Sequence, residues 1–205
     1  MLPTLLSLTL ACKTGAKETP VITLETRNER FPIDDCESNR PPILMVHGFL
    51  ASGDTYDNFI NNFMQRGYCG NQLVSMDWNT FDEQSGLELL ESTVMEVLAR
   101  HGSTQLDLIG HSAGGGLAVE WMAQEENASY IRKYAHVGSY PDINLPNTDM
   151  INIWSRGDTA LPGADINGCV NASLEEEDHY SVATSAQSFE ALWDFGTFQL
   201  QSPST

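Results

Sequence analysis

The feature that most constrains this chain is a rhythm of six short apolar, β-branched runs separated by stretches with helical spacing. The runs are ILMVH (Ile43–His47), QLVSMDW (Gln72–Trp78), QLDLIGH (Gln105–His111), YAHVG (Tyr134–Gly138), MINIWS (Met150–Ser155) and CVNASL (Cys169–Leu174). The stretches Thr55–Arg66, Gly86–Arg100, Ser112–Glu126 and Tyr180–Trp193 carry apolar residues three and four apart, as Phe59, Ile60, Phe63 and Met64 do. Strands that are apolar on both faces and alternate with helices belong in a sheet covered on both sides. The expectation is a single-domain α/β fold, a doubly wound and mostly parallel sheet with helices on both faces. Ligands of such sheets bind beyond the carboxyl ends of the strands.

The third run leads straight into Gly110-His111-Ser112-Ala113-Gly114, and an amphipathic stretch leaves it. Gly-x-Ser-x-Gly is weak by itself, but a strand before it and a helix after it supply the context that the motif requires. A serine at such a turn stands clear of the sheet in strained backbone. Gly110 and Gly114 spare the turn a collision, while Gly115 and Gly116 let the helix approach the sheet. The helix N-terminus also offers backbone N–H groups to a developing oxyanion.

A nucleophilic serine needs a base, and the base needs an orienting carboxylate, in the chain order Ser, Asp or Glu, His. His136 lies within a run of apolar and small neighbours and reads as a core histidine. His179 follows the last run and opens the last helix, where a base must stand. Of Asp142, Asp149, Asp158, Asp165 and Asp178, only Asp158 comes just beyond the carboxyl end of a run, and Asp165 is its nearest rival. The second oxyanion donor should come from the loop after the first run. There Gly48 permits a sharp reversal, and the N–H of Phe49 can stand beside that of Ala113. His47 reads as a structural hydrogen-bonding residue.

On PPILMVHGF (Pro41–Phe49), LVSMDW (Leu73–Trp78), LDLIGHSAGG (Leu106–Gly115), WSRGD (Trp154–Asp158) and DHYSVATS (Asp178–Ser185), the chain resembles the α/β-hydrolase superfamily. Within it, the chain is similar to the small, lidless bacterial lipases and esterases of the lipase class 2 group. The resemblance implies a minimal, lidless hydrolase domain over 41–200 that cleaves small-molecule or lipid esters. Ser112, Asp158 and His179 would be its triad, Phe49 and Ala113 its backbone donors, and no cofactor or metal is called for. Only twelve residues, Ser139 to Met150, separate Gly138 from Ile151, so short- to medium-chain esters are expected, without interfacial activation. The same triad also suits thioesters, polyesters, acyl transfer or peptides, and a lipid-anchored binding protein that kept the fold is a further alternative.

Composition narrows the partners. Ten Lys and Arg against 28 Asp and Glu give a formal charge of -18, which repels phosphates and makes nucleic acid an unsuitable partner. No apolar run approaches the ~20 residues of a membrane span. The apolar stretch Leu2–Ala11, ending at Cys12, resembles a lipoprotein leader over 1–12, although no Lys or Arg precedes it. Residues 13–40 read as a polar tether with one edge strand, Val21–Thr26. Export is therefore expected, as a secreted or periplasmic or outer-membrane lipoprotein, with a lipid anchor at Cys12 and a monomeric chain. Of the remaining cysteines, Cys36 and Cys69 each precede a run and are expected to pair, leaving Cys169 free.

Overall fold

The computed structural model describes residues 36, 38–141, 143, 145 and 148–195. The expected leader over 1–12 and the run Val21–Thr26 lie outside the described residues. All six expected strands form: β1 (Ile43–Val46), β2 (Leu73–Met76), β3 (Leu106–His111), β4 (Ile131–Val137), β5 (Asp149–Ser155) and β6 (Val170–Leu174). They make one sheet in the order β2-β1-β3-β4-β5-β6, with every pairing parallel. The helices are α1 (Asp57–Gln65), α2 (Glu83–His101), α3 (Ala113–Met122), α4 (Glu125–Ser129) and α5 (Ala186–Asp194).

The period of two along β1 sends Leu44 and Val46 to one face and Ile43 and Met45 to the other, and all four are buried. The first face is closed by α2 and α3 through Leu90, Val94, Leu117 and Trp121. The second is closed by α1 and α5 through Phe59, Phe63, Phe189 and Leu192. Phe63 and Phe189 meet edge to face with ring centroids 4.9 Å apart, locking these two helices together. Each such side chain contributes roughly 1.5–3 kcal/mol by leaving water.

Local hydrogen bonds set boundaries that periodicity does not. Helix α2 starts at Glu83 rather than Gly86 because the Asp82 carboxylate caps the N–H of Ser85. It ends where Gly102 turns to φ +59 and Ser103 N–H bonds back to the Leu98 carbonyl. The stretch expected as one helix over Ser112–Glu126 divides into α3 and α4, since Gln124 is extended and the Asn127 amide takes the Trp121 carbonyl. The last helix begins at Ala186, not Tyr180, with Ser185 capping it through the N–H of Ser188. His179 therefore sits in a loop before a short 3-10 turn (Ser181–Ala183) and does not open a helix.

The Cys36–Cys69 disulfide, with Cα atoms 5.6 Å apart, ties the stretch before β1 to the turn before β2, and Cys169 is a free thiol. From β1 the chain passes to β2 on one side and then to β3 on the other. The carboxyl ends of β1 and β3 thus flank a topological switch point, where a parallel sheet opens a crevice.

Candidate active site

Ser112 stands at that crevice, between β3 and α3, with φ 52° and ψ -122°. A non-glycine residue at positive φ is strained and has to be held by its surroundings. Here Ser112 N–H donates to the Val137 carbonyl at 3.1 Å. The Ser112 carbonyl accepts from Ser139 Oγ at 2.7 Å and from the N–H groups of Gly115 and Gly116. Crowding explains Gly114, where a Cβ would lie 2.4 Å from the carbonyl oxygens of both Val46 and His47. Gly116 differs from the expectation, because a Cβ there would meet nothing nearer than Tyr140 Cδ2 at 4.0 Å.

The structure brings Ser112, His179 and Asp158 into one hydrogen-bonded relay. Ser112 Oγ lies 2.8 Å from His179 Nε2, and His179 Nδ1 lies 2.7 Å from Asp158 Oδ2. A carboxylate only accepts, so Nδ1 carries the proton and Nε2 offers its lone pair to the serine hydroxyl. Asp158 is held rigidly, for its Oδ1 accepts the N–H groups of Ala160 at 3.0 Å and Leu161 at 2.9 Å. Its side chain is 1% exposed and that of His179 29%, so the carboxylate is sealed while the imidazole faces the crevice. Asp165, the rival acid, accepts instead from the Trp154 indole N–H at 3.0 Å. Asp178 takes the N–H groups of Tyr180 and Ser181, shaping the loop that presents His179, and the Ser181 bonds hold its carboxyl below the usual range.

Phe49 and Ala113 lie on the two segments that converge on the serine. The N–H of Ala113, at the first turn of α3, has no intrahelical acceptor. That of Phe49 finds none among the described residues. The preceding Gly48 is required for closeness rather than for reversal: a Cβ on it would lie 2.9 Å from His111 Nδ1 and 3.0 Å from Ser112 Cβ. The reversal itself puts Leu50 at φ 57°, closed by Ala51 N–H on the Gly48 carbonyl. His47 is structural, as expected. Its Nε2 accepts Trp78 N–H at 3.2 Å, which leaves Nδ1–H to donate to the Gly48 carbonyl at 2.9 Å.

A cleft of about 530 Å³ runs from this loop to His179, lined by Phe49, Leu50, Asp54, Asp57 and Tyr180 among others. Val182, in the loop that follows His179, is fully buried in the core beside α5. His136 is buried between the Tyr134 hydroxyl and the Tyr140 carbonyl, and burial pushes its imidazole down to about 4. Among the described residues, no group of three His, Cys, Asp or Glu is arranged to hold a metal ion. One residue at the site was not singled out by the motif. His111, the last residue of β3, reaches the His179 main-chain oxygen at 2.8 Å.

A hydroxyl bonded to a neutral imidazole that is backed by a buried carboxylate can be deprotonated as it attacks an electrophile. Known proteins with this architecture are numerous. In sequence, the chain is 21% identical over 144 residues, 68% of its length, to the sn-1-specific diacylglycerol lipase ABHD11 of Xenopus tropicalis, and it spans 44% of the length of that relative. In structure, it is similar to the mature lipase BlEst2 of Bacillus licheniformis (TM-score 0.63, 14% identity, 80% of this chain and 95% of that one). It is also similar to the esterase EaEST of Exiguobacterium antarcticum (0.60, 15%, 76% and 91%) and to a bromoperoxidase of Bacillus anthracis (0.61, 14%, 76% and 91%). At such identities these likenesses show the fold alone. The family model for the alpha/beta hydrolase fold matches residues 41–164. That span runs from the strand leading to Phe49 past the turn that holds Asp158, and a match of this extent places the chain in the alpha/beta hydrolase family.

Proposed function

We propose that this hydrolase cleaves carboxylic esters of short to medium chain by two-step acyl transfer. Ser112 Oγ attacks the ester carbonyl while His179 Nε2 takes its proton, and the Phe49 and Ala113 N–H groups receive the oxyanion. Collapse of the tetrahedral intermediate breaks the bond to the alcohol, which leaves with the proton from His179. Water, deprotonated by the same imidazole, then hydrolyses the acyl-serine. Asp158 keeps Nδ1 protonated and stabilises the imidazolium formed in each half. The observation that carries this reading is the continuous relay of 2.8 and 2.7 Å between Ser112, His179 and Asp158. The ester-cleaving relative is consistent with it. The Cys36–Cys69 bond supports a second part of the proposal, that the chain works in an oxidising compartment after export.

A fluorophosphonate probe tests the core of this reading, followed by a panel of esters, thioesters and amides. Labelling at Ser112 with turnover of short esters is the expected result. A folded protein that neither labels nor turns over any of them would overturn it in favour of a binding protein.

A further inference from the structure

His111 precedes the serine and takes no part in the acyl-transfer scheme, yet its ring is confined on every side. It is 4% exposed, and its centroid lies 4.9 Å from that of His179. Nε2 stands 2.8 Å from the His179 main-chain oxygen, which can only accept, so Nε2 carries the proton. Nδ1 then bears a lone pair that is buried without a hydrogen-bond partner. The ring packs between Gly48 and Gly138, since a Cβ on the first would lie 2.9 Å from Nδ1 and on the second 3.4 Å from Cδ2. An unpaired buried nitrogen is costly, and a Leu or Phe of similar bulk would avoid that cost. The useful atom is therefore the opposite nitrogen and its bond.

We propose that His111 is a positioning residue, which as the Nε2–H tautomer grips the main chain of His179 and so sets the base against the Ser112 hydroxyl. This rests on the acyl-transfer reading of the same site. His179 belongs to a loop, not to a helix or strand. Asp178 folds the following residues back on that loop through the N–H groups of Tyr180 and Ser181. The His179 carbonyl bond ties the loop to the last residue of β3, the strand that leads directly into Ser112. The nucleophile and the base are thus referenced to a single strand end, and a base displaced by about 1 Å loses on the order of 100-fold in rate. Burial pushes the His111 imidazole down to about 4, so the donor stays neutral and places no charge beside the imidazolium that must form on His179.

The test compares His111→Leu, which removes the donor, with His111→Gln, whose amide N–H can reach the same carbonyl. The measurements are kcat and KM on a monomeric ester, the rate of fluorophosphonate labelling, and the proton NMR signal of His179 Nδ1–H. We expect the Leu variant to lose about 10- to 100-fold in kcat and in labelling rate, with KM changed by no more than about twofold. Its His179 signal should be shifted or lost, and Gln should restore most of all three. A folded Leu variant with wild-type kcat overturns the inference, as does an effect on KM alone or a Gln variant as impaired as Leu. Should the Leu variant not fold, His111→Asn, whose amide falls short of the carbonyl, replaces it with the same expected ordering. If the wild-type protein itself neither turns over esters nor labels, the acyl-transfer reading fails. The NMR comparison then still decides whether His111 places His179.

Discussion

Replacing Asp158 by Asn probes the relay where its hydrogen bonds are most fully determined. The carboxylate has three partners: Ala160 and Leu161 N–H on Oδ1, and His179 Nδ1–H on Oδ2. An amide offers one acceptor oxygen and one NH2 group. With its oxygen in the Oδ1 position, the NH2 group faces His179 Nδ1, and the imidazole must move its proton to Nε2 to accept it. The opposite orientation sets NH2 against these two backbone donors and forfeits both hydrogen bonds, worth about 0.5–1.5 kcal/mol each. The first orientation wins. Nε2–H then points at Ser112 Oγ from 2.8 Å and cannot take its proton. An imidazole held in the wrong tautomer costs a serine hydrolase about 10⁴ in kcat, equivalent to about 5 kcal/mol of barrier. Folding should be little affected, because both backbone N–H groups keep their acceptor. The assay is hydrolysis of a monomeric chromogenic ester at neutral and alkaline pH, beside thermal melts, with Asp165→Asn as control. That control should stay within about twofold of wild type, its carboxylate accepting from the Trp154 indole and standing outside the relay. A folded Asp158→Asn enzyme within about tenfold of wild-type kcat would refute the reasoning, as would a larger loss from Asp165→Asn.

Three further outcomes follow from the same geometry and from the core. Ser112→Ala and His179→Ala should each abolish nearly all esterase turnover, with the double variant little worse than either; additive losses in kcat would mean that the two do not act as a unit. With monomeric short-chain esters the rate should saturate below the concentration at which substrate aggregates, since the cleft from Phe49 to Tyr180 is already open; a jump in rate at aggregation would contradict this. Arg132→Met should strip fully buried Asp107 of its ion-pair partner and destabilise the fold by about 3–5 kcal/mol above neutral pH. Burial already pushes Asp107 up to about 7, so its contribution to stability is greatest in acid and is lost as pH rises through that value. The penalty of the Arg132 variant should accordingly shrink on acidification, and urea unfolding that shows the same penalty in acid and in base would refute it.

What was legible in the sequence is what depends on neighbours along the chain. Phe59, Ile60 and Phe63 announce the buried side of α1 by spacing alone, and the glycines around Ser112 announce a turn between strand and helix. Asp158 could be preferred to Asp165 because it stands three residues past the end of β5, where a parallel sheet opens. Helix ends were not legible, since they depend on single side chains such as Asp82 and Asn127 competing for backbone groups. Gly48 was misread for a deeper reason. Its requirement is the crowding of His111 and Ser112, more than sixty residues along the chain, and no local rule of turn chemistry contains that contact.

The same reasoning explains why His111 could not be assigned from its place in the motif. A polar residue at the end of a buried strand has no periodic signature beyond its burial. Its partner, the His179 carbonyl, lies 68 residues further on, in the loop after β6. The two meet because β3 and β6 are parallel strands of one sheet, and parallel strands deliver all their following loops to the same edge. The local patterns encode strands and helices, and the sheet order then decides which loops share that edge. The bonds that steady a site there are made by residues that each look ordinary in their own segment. Ser112 and Asp158 could be ranked beforehand because their chemistry restricts the residue type; His111 could not, because many donors can hold a carbonyl and only geometry selects one.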